Sequence, residues 1–334
     1  MTPDPADRTR RRTASGSRSA ATSLILSVVF LAVVGLVVAG LWLRYDNTLR
    51  DGRRNAENLV TVLSADLEIR VAGIEDSLRE IAAFSRFIGG PSASGQEWMT
   101  LLRTAAAGRR GFEAFLITDA DGRTTFSSLP ILMGESRADG EAFSALSADP
   151  RNDSLIADAP ERSSNDSKLV VPLARVIRTP NAEFEGMAIA NFAPEQLRSF
   201  YREADTGENG VVWLLKPPGT VLLREPPSER PNDEPWPSAL TGEIAAGQPG
   251  VSDGPIANGG QQYLTAYRSL AGTGLTVAVS LATGDMLAAW WNEVYAAVAL
   301  TVLVGLFLLV ATLLLARSNR ASPVAPEDET SATE

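Results

Sequence analysis

The sequence predicts an α+β protein: two membrane-spanning helices flank a domain of two antiparallel sheets carried on a long helix. Three observations predict it. Two uncharged apolar runs, residues 23–43 and 294–316, stand near the ends of the chain. An apolar stripe of helical period follows the first run. Beyond that stripe, one order of strands, turns and helix occurs twice.

Each apolar run exceeds the roughly 20 residues a helix needs to cross a bilayer core. A helix satisfies its own backbone groups, as a hydrocarbon environment demands. Arg8, Arg10, Arg11, Arg12 and Arg18 precede the first run, and Arg317 and Arg320 follow the second. The positive-inside rule therefore puts both termini in the cytoplasm and residues 44–293 outside it, at the inner membrane. Arg44, Arg50, Arg53 and Arg54 lie just past the first run and oppose this, but long segments translocate largely regardless of charge. A cleaved signal peptide, with a site near Ala39 and Gly40, is the alternative; its apolar region would be longer than usual.

Between the runs the chain is acidic, with 23 Lys and Arg against 34 Asp and Glu in residues 44–293. Nucleic acid, which needs basic patches, is excluded as a partner. There is no Cys and no His. Thiolate nucleophiles, His-ligated metals, Ser-His-Asp hydrolysis and phosphorylation on histidine are thereby excluded. No cofactor is expected. Only Lys168 and Lys216 are lysines, against 28 Arg, a bias that fits a GC-rich bacterial genome.

In order, residues 1–21 read as an unstructured arm and 22–43 as the first span. Residues 44–90 form a stalk helix: Val60, Leu63, Leu67, Val71, Ile74, Leu78 and Ile81 step by three and four, one buried stripe. Gly89, Gly90 and Pro91 stop it. Strands at 112–118 and 123–128 surround an Asp119-Ala120-Asp121-Gly122 turn, and strands at 168–178 and 185–192 surround Thr179-Pro180-Asn181. A helix opens at Pro194 and stops at Gly207. The order then repeats: strands at 211–215 and 220–224 about Pro217-Pro218-Gly219, a Pro- and Gly-rich stretch over 225–260, strands at 262–270 and 275–282, and a helix from Gly284. This gives a first module over 91–207, a second over 208–283, a helix over 284–293 leading to the second span, and an unstructured tail over 317–334. Repetition of a supersecondary unit points to two similar modules.

Smaller signals fall into place. The Asp119 and Asp205 segments lack the later acidic positions of a calcium loop. Ala297, Thr301 and Gly305 set small residues at four-residue steps on the second span, as on helix-pairing faces. Trp290, Trp291 and Tyr295 read as an interfacial aromatic belt.

With these elements in place, the chain resembles the double Cache, or tandem PAS-like, sensor domains of bacterial diguanylate cyclases, histidine kinases and chemoreceptors. The matching stretches are FLITDADGRTTFSS, the segment 134–143, LVVPLARVIRTPNAEFEGMAIANFAPEQLRSFY, VVWLLKPPGTVLLREPP and QQYLTAYRSLAGTGLTVAVSLATGDM. The resemblance implies a small-molecule pocket in the first module, floored by the sheet and covered by the insert between its strand pairs. It places Ser127 and Ser128 at a strand end, Arg137, Asp139 and Phe143 in the lid, and Arg175 and Asn191 on the later strands. Arg in a concave site grips a carboxylate by two parallel hydrogen bonds, so the implied ligand is a carboxylate or an amino acid. Two positions depart from the family pattern: Gly140 and Ala142 stand where an Arg and an aromatic are usual. No cyclase signature, kinase core or methyl-accepting coiled coil is read in the chain. The expected protein is therefore not an enzyme. It is a sensor that signals through its spans to a membrane partner carrying a kinase or cyclase, with a homodimer among the expected assemblies. The alternative is a ligand-free scaffold of a membrane signalling complex.

Overall fold

A computed structural model describes residues 5–93, 95–107, 112–216, 219–227, 240, 242, 244, 247–255 and 261–320, with the side chains of 5–23, 255, 315, 316 and 318–320 left out. The chain divides into two units, Met1–Leu49 with Leu287–Glu334, and Arg50–Met286.

In the larger unit the C-terminal part of helix α1 (Pro5–Ile88) buries Val60, Leu63, Leu67, Val71, Ile74, Leu78 and Ile81, the predicted stripe. The helix stops where expected. Gly89 takes a left-handed φ of 91°, which only glycine adopts at no steric cost, and a 3-10 turn follows over Gly90–Ser92. Buried Trp98 on α2 (Gly95–Ala106) locks that turn, its Nε1–H donating to Gly90 O at 3.0 Å.

The first sheet contains β1 (Phe112–Thr118), β2 (Thr124–Ser127), β3 (Ile156–Ala157), β4 (Glu161–Arg162), β5 (Leu169–Arg178) and β6 (Phe184–Phe192). Its order is β2-β1-β6-β5-β3, with β4 also on β5, and every pairing is antiparallel. Helix α3 (Glu141–Ala148) lies in the insert between β2 and β5. The predicted helix at Pro194 is a 3-10 turn, Pro194–Leu197, followed by the short α4 (Arg198–Arg202). Arg198 and Arg202 both reach the buried Glu225 carboxylate, Arg202 Nε at 3.0 Å, tying this segment to the second sheet.

The second sheet contains β7 (Val211–Lys216), β8 (Thr220–Glu225), β9 (Gly250–Pro255), β10 (Gln262–Ser269) and β11 (Thr276–Ala282), in the order β8-β7-β11-β10-β9. The two sheets share one topology, as the repeated order predicts. Pro217 and Pro218 of the predicted turn lie outside the described residues. β11 runs without an intervening residue into α5 (Thr283–Arg320). Near that junction Asp285 accepts from the backbone N–H of Asn209 at 2.7 Å and from Asn209 Nδ2 at 2.8 Å.

The smaller unit consists of the apolar parts of α1 and α5, both long and apolar enough to cross a membrane. Leu26, Phe30, Val34, Val37 and Leu41 on α1 and Val294, Ala297, Thr301, Gly305 and Leu308 on α5 are half-buried, and most other span residues are exposed. Gly305 lies against the Phe30 ring; a Cβ there would stand 3.3 Å from it. Trp290 Nε1–H donates to Leu41 O at 2.9 Å, its ring meets Tyr45 edge-on at 5.2 Å, and Arg44 pairs with Glu293 at 2.9 Å. One expectation is corrected: α1 is helical from Pro5, through the arm expected to be unstructured. Extending an existing helix costs far less than nucleating one, and the arm is rich in Ala and Arg, good helix formers.

Candidate functional site

Strand alternation assigns the two faces of the first sheet. Val171, Leu173, Ile177, Ala188, Ala190 and Phe192 join the core that includes the stalk stripe. Ala174, Val176, Met187 and Ile189 point the other way, beneath a lid built from the insert. There Leu132, Ala142 and Leu146 complete an apolar cluster, with Phe143 meeting the Phe184 ring edge-on at 5.5 Å.

One pleat along β6 from Ile189, the lid face turns polar. Asn191 sits opposite Pro172 on β5. On β1 the register slips between Phe112 and Phe115, so Glu113 and Ala114 together face Asn191 in a bulge. Asn191 is fully buried, and neither its oxygen nor its nitrogen has a hydrogen-bond partner. Glu113 Oε1 accepts from Ser163 Oγ and from Asn165 Nδ2 at 3.2 Å, while its buried Oε2 has no donor. Leaving such groups unsatisfied costs about 1–3 kcal/mol each, more for a charge.

The polar cluster continues through the insert. Ser164 donates to Glu135 Oε1 at 2.6 Å. Arg137, its side chain 10% exposed, gives one terminal nitrogen to Glu135 at 2.7 Å and the other to Glu161, and its Nε is buried without an acceptor. At the rim, Lys168 pairs with Asp166 at 2.7 Å. Its hydrogen bond holds Asp166 below the usual carboxylate range and lifts Lys168 above the usual lysine value.

The structure sorts the seven expected residues. Asn191 and Arg137 lie in this polar cluster. Ser127 is buried on the lid face beside Leu116, its Oγ accepting from Leu129 N at 3.1 Å. Ser128 serves the strand, its Oγ accepting from Phe115 N at 3.0 Å. Phe143 belongs to the apolar cluster, and Asp139 is exposed on the turn before α3. Arg175 is on the opposite face of the sheet. It shares parity with Leu173 and Ile177 and contacts Glu75 of the stalk and Asp153, each at 3.4 Å. No alternation along KLVVPLARVIR marks which face a residue takes, because β5 is buried on both. Gly140 has a local reason: a Cβ there would stand 2.2 Å from Asp158 Oδ2, while Asp158 Oδ1 accepts from Glu141 N at 3.0 Å at the start of α3.

Sequence reasoning missed Glu113, Glu135, Glu161, Ser163 and Asn165. Only Glu113 carried a signal, as the one charge in the apolar strand FEAFLIT. Among the described residues no group of three or more carboxylates is placed to hold a metal ion.

A stalk helix carrying two sheets of one topology, the first lidded over a partly polar face, defines the class of tandem sensor modules. The Cache domain family model matches residues 46–290, and the chain belongs to that family. Solved structures agree in fold. The extracellular domain of rpHK1S-Z16, described as a histidine kinase, is 22% identical with a TM-score of 0.61, over 72% of this chain and 98% of that one. The periplasmic sensory domain of the Campylobacter jejuni chemoreceptor Tlp1 is 10% identical with a TM-score of 0.57, over 72% and 98%. The ligand-binding domain of the Pseudomonas fluorescens chemoreceptor CtaA, solved with L-isoleucine, is 12% identical with a TM-score of 0.54, over 73% and 98%. No curated protein sequence matches the chain.

Proposed function

We propose that the chain is a membrane-anchored sensor that binds a small molecule under the lid of its first module. It passes the change through its two spans to a partner carrying a kinase or cyclase. The observation that carries this reading is the fully buried Asn191, unpartnered on the lid face of a Cache domain. A buried amide with no partner is a site that a ligand's polar group completes. The likeness to receptor domains, one of them solved with an amino acid, supports it. Arginines before the first span and after the second support cytoplasmic termini and an extracytoplasmic Cache domain. Binding shifts the signalling state only as far as the ligand's affinity differs between the two states.

One observation favours the scaffold reading instead: apolar side chains of the lid, Leu132, Leu146 and Phe143, fill much of the same face. Thermal unfolding of the full chain in nanodiscs, screened against carboxylates, amino acids, amines and nucleobases, separates the two. A ligand at 100 times its dissociation constant raises stability by about 2.7 kcal/mol. The expected result is a hit lost in Asn191→Leu and kept in Arg175→Ala. A hit that survives Asn191→Leu moves the site elsewhere. A screen with no hit leaves the scaffold.

A further inference from the structure

We propose that the two spans hold a glycerophospholipid with a primary ammonium in its head, such as phosphatidylethanolamine, in a groove at the ends that lead into residues 44–293. Its upper acyl region lies against Trp42 and Trp290, while Arg44 takes the phosphate and Glu293 the ammonium. This goes beyond the sensor reading and requires only that the two apolar helices cross a bilayer.

Leu41, Arg44 and Tyr45 stand at i, i+3 and i+4 on α1, and Trp290, Glu293 and Val294 do the same on α5, so each set shares one face of its helix. The two faces meet, because Trp290 bonds Leu41 O and Arg44 pairs with Glu293. Beside that contact Val38, Leu41, Trp42, Tyr45, Trp290 and Val294 line a groove of about 390 Å³ with almost wholly apolar walls. Its depth follows from the sequence. Arg44 is the first charge after the apolar run 23–43, and Glu293 is the last before the run 294–316. Both therefore stand at headgroup level, with the groove beneath them at the upper acyl carbons and the aromatic rings at the boundary.

The charge at the rim selects the head. The ion pair engages one guanidinium nitrogen, Nη1, and one carboxylate oxygen, Oε1, at 2.9 Å, and the two side chains are 68% and 46% exposed. The other nitrogens and the second oxygen stay open to a ligand. A phosphate joined by a short chain to a primary ammonium matches the pair with its signs reversed. The phosphate takes the guanidinium fork, and the ammonium donates to the carboxylate. An anionic head without an amine satisfies Arg44 but stands against Glu293. A trimethylated ammonium has no N–H to donate.

The test is tryptophan fluorescence of the full chain in bilayers, quenched by lipids brominated on the upper part of the acyl chain. Phosphatidylethanolamine, phosphatidylglycerol and phosphatidylcholine are compared. Trp42 and Trp290 line the groove, whereas Trp98 and Trp213 are buried in the Cache domain, beyond the reach of the bromines. Phosphatidylethanolamine is expected to reach half-maximal quenching at a mole fraction at least about threefold below either other lipid. Glu293→Gln should bring it within about twofold of phosphatidylcholine, with the unfolding temperature unchanged, since an exposed ion pair contributes little. Arg44→Gln carries the same test should that variant fail to fold. Equal quenching by the three lipids marks ordinary boundary lipid and overturns the proposal, while the sensor reading stands. A preference for phosphatidylglycerol overturns it too, as does a preference for phosphatidylethanolamine that survives both substitutions. Quenching by none of them removes the proposal and the reading of these helices as spans together.

Discussion

Tyr201 ends in the core with its hydroxyl unpartnered, and it carries a consequence for alkaline stability. Burial first, and the Asp66 carboxylate second, raise its ionisation well above the usual tyrosine range. The folded state therefore holds the phenol proton after the unfolded chain has released it, near pH 10. Stability is intact below that pH and is lost as pH rises toward the folded value. Urea unfolding followed by tryptophan fluorescence should show the wild type losing more stability than Tyr201→Phe between about pH 10 and 11. At pH 7 the variant should be neutral or up to about 1 kcal/mol more stable, since it removes an unsatisfied buried hydroxyl. The same scale shows where sequence reasoning reached and where it stopped. Asn191 and Arg137 were legible as polar residues in a resembling pattern. Arg175 was legible as a residue but not as a direction, because a strand buried on both faces conceals its parity. Glu161 was invisible, because only the folded insert brings it to Arg137, 24 residues away in sequence.

At the scale of elements, the stalk was the most legible part of the chain, because a one-sided stripe of period 3.6 reports burial directly. Leu67 is fully buried and Ile69, two residues on, is 73% exposed. Leu67→Ala should cost about 2–5 kcal/mol of unfolding free energy, and Ile69→Ala less than about 0.5 kcal/mol, measured by denaturant titration. Equal costs would mean that the outer face of the helix is also packed. Most long strands were legible within a residue or two of their ends, since each carries turn residues on both sides; β9, six residues inside the Pro- and Gly-rich stretch 225–260, was not. The inserts were not. β3 and β4 have two residues each, too few for any alternation to show, and α3 has eight. The polar half of the candidate site hangs on those short elements, so it stayed hidden while the sheet beneath it was visible.

At the scale of the whole molecule, two sheets of the same strand order differ in how each ends. After β6 the chain passes through a 3-10 turn, a five-residue helix and a loop before β7 begins. After β11 there is no loop: Ala282 closes the strand and Thr283 opens the helix. Slack in a chain absorbs displacement, and this junction has none. The Asn209 clamp on Asp285 removes a further freedom by bracing the first turn of that helix. On the proposed function, a displacement of the last strand therefore reaches the first turn of this helix without passing through a loop. Two glycines inserted between Ala282 and Thr283 act as a clutch. Ligand affinity should remain within about threefold of the wild type. The ligand-induced change in a spectroscopic label on the apolar part of α5 should disappear. If that change survives the insertion, the drive runs through the stalk helix instead.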